Sequence, residues 1–506
     1  MFSATSTNKS HQTAGRTLWL LAALLGVAII RLWRLPEAGL PDYDSVRNWQ
    51  VAQEMAQGNF SRLFALGSPA FLLFYAGVAV FTRNFLVFQT LNALLGITGV
   101  GFFCAWVAKY AKLTGPEAAG LTLLGGTSLL LTFSGRDLNP NAISVLLFSM
   151  LLRSHFARLH KPGAAAVLRV VGWLAVAMCF NFKFLFTIPI LIVLEAWQAD
   201  GLWRQRTLWA RVLVILAAPY LIFGVFSVIV GLPWYRWLGF YIRQVIVAGP
   251  NQSGHQGTVH IDLLYYVRYL AGYESPLLLV GLAVSAWLVW RGWRSEMFRR
   301  GQALPVLPYL LVWAGCLLAG MSIVVKAPRE IVFAYLPLAA LAVLSGRRVL
   351  PSWALLGIVL VAVGLNVFRI QQELYSSLPT PYPRVAAWLQ AHGATKVAST
   401  VGMGLAPYLD GNQTLTVVNR ERQLAGLRQQ GYEYVLLDGY WRVAGVHQFD
   451  SLRHTTPIAA WPAPQLHQPL LFLEHSEYTG KGFTETLAAQ REAAADSLPL
   501  RLYRLR

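Results

Sequence analysis

Short polar clusters interrupt an otherwise apolar chain and hold the groups that could do chemistry. The first runs Asp42-Tyr43-Asp44 and continues to Arg47. The next are Arg136-Asp137-Leu138-Asn139-Pro140 and Asn181-Phe182-Lys183. Later, Pro233-Trp234-Tyr235 opens a polar stretch holding Arg243, His255 and His260, and Lys326 and Arg329 precede a late apolar segment. Carboxylates can take a proton from a substrate hydroxyl, and cations can neutralise developing negative charge. Each group also has a plain structural reading. Asp44 can cap a helix over 45–57, where Val46, Trp49, Ala52, Gln53 and Ala56 share one face. The cations can snorkel to headgroups, Arg329 can pair with Glu330, and Arg136 with Asp137. Trp234 and Tyr235 can stack on a sugar or anchor at an interface, and His255 and His260 can be loop residues.

The elements that must position these groups are membrane helices. Of the 506 residues, 56% are hydrophobic and 13% charged, against about a quarter charged in a soluble domain. Apolar runs of about 17–25 residues, enough for a helix to cross a bilayer, recur from Thr17 to Val367. The net charge of +19 does not point to nucleic acid, because the basic residues cluster between apolar segments as the positive-inside rule expects. With those clusters in the cytoplasm, about eleven spans follow, near 17–36, 85–108, 116–133, 140–157, 166–181, 184–200, 209–231, 275–291, 304–322, 329–345 and 350–369. The N-terminus is then cytoplasmic, the C-terminal region lies outside, and the candidate residues gather at one outer mouth, where ionisable groups near membrane depth suggest function. Pro69–Phe81 is too short to cross and reads as an interfacial or re-entrant helix; a short tilted span is the alternative. Cys104, Cys179 and Cys316 all lie in apolar segments without metal-type spacing.

The division expected is a membrane body over 1–370, with outer loops 37–84 and 232–274, and a soluble domain over 371–506. In that domain, 383–391 and 420–430 have helical patterning, and 396–401, 414–418 and 432–437 look like strands, which suggests a small α/β domain. Gly402-Met403-Gly404 is a weak phosphate-loop signal.

The order of these features resembles the GT-C fold glycosyltransferases, in particular the branch of protein O-mannosyltransferases and lipid A aminoarabinose transferases. Their first-loop pattern, Pro-Asp-Glu before an aromatic and a small-residue helix ending in Met and Gly, is matched from Asp44 to Gly58. Ser45 replaces the Glu, and Asp42 supplies an acidic partner. The family's Lys-Pro or His-Pro-Pro becomes Ser68-Pro69, its Asp-Pro becomes Asn139-Pro140, and its Thr-Lys-Gly becomes Phe182-Lys183-Phe184. Pro233-Trp234-Tyr235 and Pro328-Arg329-Glu330 also have counterparts.

The resemblance implies a polytopic α-helical membrane protein that transfers a hexosyl or pentosyl group from a polyprenyl-phosphate donor to a lipid, glycan or protein acceptor. The site would face outward from the plasma (inner) membrane, with the C-terminal domain periplasmic or extracellular. Asp44 is implied as the catalytic carboxylate and Asp42 as the second. Lys183, Arg243, Arg329 and Arg136 would bind the lipid phosphate. Asp137, Asn139, Trp234, Tyr235 and His260 would contact acceptor or sugar. The departing phosphate is already anionic, so one base suffices for an inverting displacement. No cofactor is required, and a divalent metal is compatible with the two aspartates. The competing reading is a transporter or flippase, which would place polar groups in mid-span and carry inverted repeats.

Overall fold

The computed structural model describes residues 4–40, 43–64, 67–198, 201–240, 262–294, 304–323, 326–400, 404–410, 412–418, 420–437, 443, 449–495 and 500–505. Asp42, Arg243, His255, His260, Gly402 and Met403 lie outside the described residues.

The protein is a polytopic helical membrane protein with a small mixed sheet toward its C-terminus. Among the described residues, five helices are long and apolar enough to cross a bilayer: Ala14–Ala38, Phe85–Tyr110, Asn141–His160, Arg206–Ile229 and Ser352–Tyr375. The other expected segments are shorter or broken. Ile188–Gln198 has 11 residues but continues from a 3-10 turn of 6 residues, Phe182–Thr187. At about 1.5 Å and 2 Å per residue, the two together reach about 28 Å, close to the bilayer core of about 30 Å. Pro69–Ala79, also 11 residues, covers only about 16 Å. It packs on the helix Tyr43–Ala56.

The segment expected as one straight span over 116–133 is broken. Gly115–Gly126 and Leu129–Arg136 are bent by 62° where Gly125-Gly126-Thr127-Ser128 supplies weak helix formers. A break strands backbone groups that have no water to bind. Buried Arg31 donates from Nε (3.2 Å) and Nη2 (3.0 Å) to the Gly126 carbonyl. On the other side of the break, buried Glu274 accepts from the Leu129 and Leu130 amides (3.0 and 2.9 Å) and from Ser128 Oγ (3.1 Å). Arg31 is thus a helix-break cap.

Glu274→Ala strands the amide donors of the break and should destabilise the protein by about 1–3 kcal/mol for each unsatisfied group, read as a lower melting temperature.

Close helix packing rests on small residues. A Cβ at Gly99 would sit 2.6 Å from the Leu146 backbone nitrogen, and one at Gly281 2.4 Å from the Ala342 Cα. Neither neighbour can yield without moving a helix.

After the last long helix, the chain forms a sheet of β1 (Lys396–Ser399), β2 (Thr414–Val417), β3 (Tyr434–Leu437), β4 (Ala459–Trp461) and β5 (Leu500–Arg504). The order is β2-β1-β3-β5-β4. β1 runs parallel to β2 and β3, and β5 antiparallel to β3 and β4. The first three strands lie within the segments expected as strands. β4 has only 3 residues, and β5 lies outside those segments although Leu500, Arg501 and Leu502 alternate apolar with basic. The helix Tyr382–Ala391 buries Val385, Ala386 and Leu389. Ties to the membrane body are direct: the Thr380 amide donates to the Glu37 carbonyl (3.2 Å), and Arg34 Nη2 to the Leu378 carbonyl (3.1 Å).

Candidate functional site

The acidic half is built on the helix Tyr43–Ala56 and the turn after Arg136. Asp44 is the second residue of this helix, two positions inside the cap position expected for it. An anion there is favoured by the helix dipole. Its Oδ1 meets Arg47 Nη2 at 2.7 Å, with both side chains about a quarter exposed. The next residue, Ser45, is fully buried. Its hydroxyl donates to Asp137 Oδ1 and accepts from the Leu138 amide (2.9 Å). Asn139 Nδ2 donates to the other Asp137 oxygen (3.3 Å). The Asp137 carboxylate therefore sits against the residue next to Asp44.

Several amide side chains hold this turn. Asn48 Nδ2 donates to the Leu138 carbonyl (2.8 Å), Gln89 Nε2 to the Arg136 carbonyl (2.9 Å), and Asn92 Nδ2 to the Asp137 carbonyl. Arg136 is buried; its Nη1 donates to the Arg31 and Trp33 carbonyls (2.9 and 2.7 Å) at the end of the first helix. Its guanidinium carbon lies 5.1 Å from the Tyr375 ring centre. That bonding makes it a support for the mouth.

The cationic half centres on the loop through Pro328–Ile331. Lys183 Nζ donates to the Arg329 carbonyl (3.1 Å) and pairs with Glu330 Oε1 at 2.8 Å. Arg329 Nε stands 4.0 Å from the same oxygen. So Glu330, beside Arg329 in sequence, makes its shorter contact with Lys183. The loop backbone is held from several elements. Tyr266 donates to the Ala327 carbonyl (3.3 Å), Tyr335 to the Pro328 carbonyl (3.0 Å), and Ser476 to the Lys326 carbonyl. The Arg329 amide donates to Glu474 Oε1 (3.0 Å) from the C-terminal domain. Burial lowers the Lys326 ammonium, with Asp262 opposing.

A hydrogen-bonded path joins the two halves. The Asn141 amide donates to Asn139 Oδ1 (3.0 Å), Ser144 Oγ to the Pro140 carbonyl (2.6 Å), and Asn181 Nδ2 to Ser144 Oγ (3.0 Å). The Lys183 amide then donates to Asn181 Oδ1 (3.1 Å). Trp234 and Tyr235 are exposed and meet edge to face, their centres 5.9 Å apart. Trp237, not singled out from sequence, is the buried ring of that stretch, stacked on Tyr220 at 4.5 Å. A hollow of about 330 Å³ near Gln53 and Arg83 contains none of the candidate groups. Among the described residues, no three His, Cys, Asp or Glu side chains are grouped to hold a metal ion.

No family model matches the chain, and no curated protein does so either. Solved structures do. The chain is similar to ArnT from Cupriavidus metallidurans bound to undecaprenyl phosphate, with 14% identity and a TM-score of 0.59 over 85% of this chain and 95% of that one. The apo form of the same ArnT aligns at 15% identity and a TM-score of 0.55, over 86% and 95%. The apo oligosaccharyltransferase from Archaeoglobus fulgidus aligns at 12% identity and a TM-score of 0.51, over 84% and 70%. The chain has a GT-C fold. Both the helical body and the C-terminal region contribute, since alignment over 85% of the chain must extend beyond either part alone. At these identities the agreement is one of architecture, and the GT-C fold does not by itself assign roles to side chains.

Proposed function

We propose that the chain is an integral membrane glycosyltransferase that moves a sugar from a polyprenyl-phosphate donor to an acceptor at the outer face of the membrane. The observation that carries this reading is the GT-C fold shared with an ArnT bound to undecaprenyl phosphate. It is supported by the carboxylates and cations that hydrogen bonds join at one mouth of the bundle.

The acceptor hydroxyl attacks the anomeric carbon from the face opposite the phosphate. Its proton passes to the Asp44 carboxylate, the bond from anomeric carbon to phosphate oxygen breaks, and polyprenyl phosphate leaves with that electron pair. Configuration inverts. Lys183 and Arg329 neutralise the leaving phosphate, with Arg243 a further cation on the large outer loop. Arg136 and Asn139 shape the mouth and hold Asp137 toward the sugar. Asp42 serves as the second carboxylate, and His260, Trp234 and Tyr235 contact sugar or acceptor. No cofactor is needed for this displacement. The N-terminus lies in the cytoplasm and the C-terminal domain outside.

The purified protein, incubated with undecaprenyl-phosphate-linked hexoses and pentoses and a mixture of envelope lipids and glycans, is expected to release undecaprenyl phosphate, detected by mass spectrometry. Absence of release from every donor would sink the transferase reading.

A further inference from the structure

A cleft of about 60 Å³ lies at the seam between the helical body and the C-terminal domain. Arg136 and Asp137 line it from the body, Glu373 and Ser377 from the connecting segment, and Gln465 and Gln468 from the C-terminal domain. Gln465 is only 8% exposed. Among the described residues, neither its amide nitrogen nor its amide oxygen has a hydrogen-bond partner. Gln468 donates from Nε2 to Ser376 Oγ (3.3 Å), while its buried oxygen has no partner among the described residues. Buried amides left in this state oppose folding.

We propose that this cleft is a carbohydrate subsite and that Gln465 reads hydroxyl groups in it. A primary amide offers two donors and an acceptor side by side, which suits neighbouring hydroxyls that each donate and accept. The Asp137 and Glu373 carboxylates can accept from hydroxyls, and with the Arg136 guanidinium committed to the Arg31 and Trp33 carbonyls they disfavour an anion, so the phosphate belongs elsewhere. Phe133 and Leu374 line the cleft as well, giving an apolar surface for ring C–H groups. The volume equals roughly two water molecules at about 30 Å³ each, so it takes the hydroxylated edge of a ring. The subsite deepens the transferase reading and rests on it only for the choice between donor sugar and acceptor glycan.

The test compares wild type with Gln465→Leu, in a detergent without a sugar headgroup. Affinity is measured for methyl glycosides of hexoses and pentoses, bare undecaprenyl phosphate and undecaprenyl-phosphate-linked sugars. The variant is expected to bind sugar-bearing probes about tenfold more weakly, the worth of about one hydrogen bond, and bare undecaprenyl phosphate unchanged. It should also melt higher, because the unsatisfied amide is gone. Loss confined to lipid-linked sugars places the donor ring in the cleft; loss on the glycosides places the acceptor there. Wild-type failure to bind any sugar-bearing probe overturns the proposal. So does a variant that binds those probes like wild type, whether the cleft holds only water or Gln465 is merely structural. Binding of glycosides without binding of undecaprenyl phosphate would keep the subsite and reject the lipid-donor reading.

Discussion

Asp44→Asn is expected to cut the rate of sugar transfer by about 100- to 10,000-fold, the usual worth of a positioned base, and to leave the protein folded. The charge it removes is a weak contributor to stability. The Asp44–Arg47 pair is partly exposed, and such pairs are worth about 0–1 kcal/mol; a first-turn anion adds roughly 0.3–1 kcal/mol. Rate and melting temperature should therefore separate. Asp137→Asn should behave differently. That carboxylate is buried and accepts from Ser45 and Asn139, so an amide there turns a donor toward donors and costs about 1–3 kcal/mol of stability. Rates with a defined donor, measured beside thermal melts of both variants, decide the matter. Full transfer by Asp44→Asn would remove Asp44 as the base, and abolished transfer in a stably folded Asp137→Asn would move that role to Asp137.

This contrast marks what could be read from residue order and what could not. Helical segments follow from long apolar runs, and the first three strands from short ones, because both depend on neighbours close in sequence. The break at Gly126–Ser128 was hidden by hydropathy: Gly and Thr count as acceptable in an apolar window, although they are poor helix formers. Its caps, Arg31 and Glu274, come from far along the chain. The acidic site shows the same limit. Ser45 stands where the GT-C pattern has a carboxylate, and sequence proximity suggested Asp42 as its replacement. In the fold the Ser45 hydroxyl holds Asp137, 92 residues away, while Asp42 lies outside the described residues. No local pattern encodes such a pairing; the only sequence signal was an Asp before an Asn-Pro at the start of an apolar segment. Gln465, a lone Gln in a mixed polar region, carries no period or charge to single it out.

The Lys183–Glu330 pair yields the second large effect, and its direction depends on which partner is changed. Lys183→Met alone leaves Glu330, whose side chain is 10% exposed, without its nearest cation, a loss toward the lower end of about 3–5 kcal/mol, so weak donor binding by that variant would be ambiguous. Adding Glu330→Gln removes the stranded charge. The double variant should fold like wild type yet bind undecaprenyl phosphate about 10- to 100-fold more weakly, as expected for one charged hydrogen bond of about 1.5–3 kcal/mol. Glu330→Gln by itself is expected to act in the opposite sense. With the internal carboxylate neutral, the ammonium has no competing anion and is freer to meet the lipid phosphate, while its bond to the Arg329 carbonyl still holds it in place. Equilibrium binding of undecaprenyl phosphate to wild type and the three variants checks this order: Glu330→Gln tightest, then wild type, then the double variant. Equal affinity in the double variant and wild type would show that Lys183 does not touch the phosphate, and Glu330 would then be a structural counter-ion only.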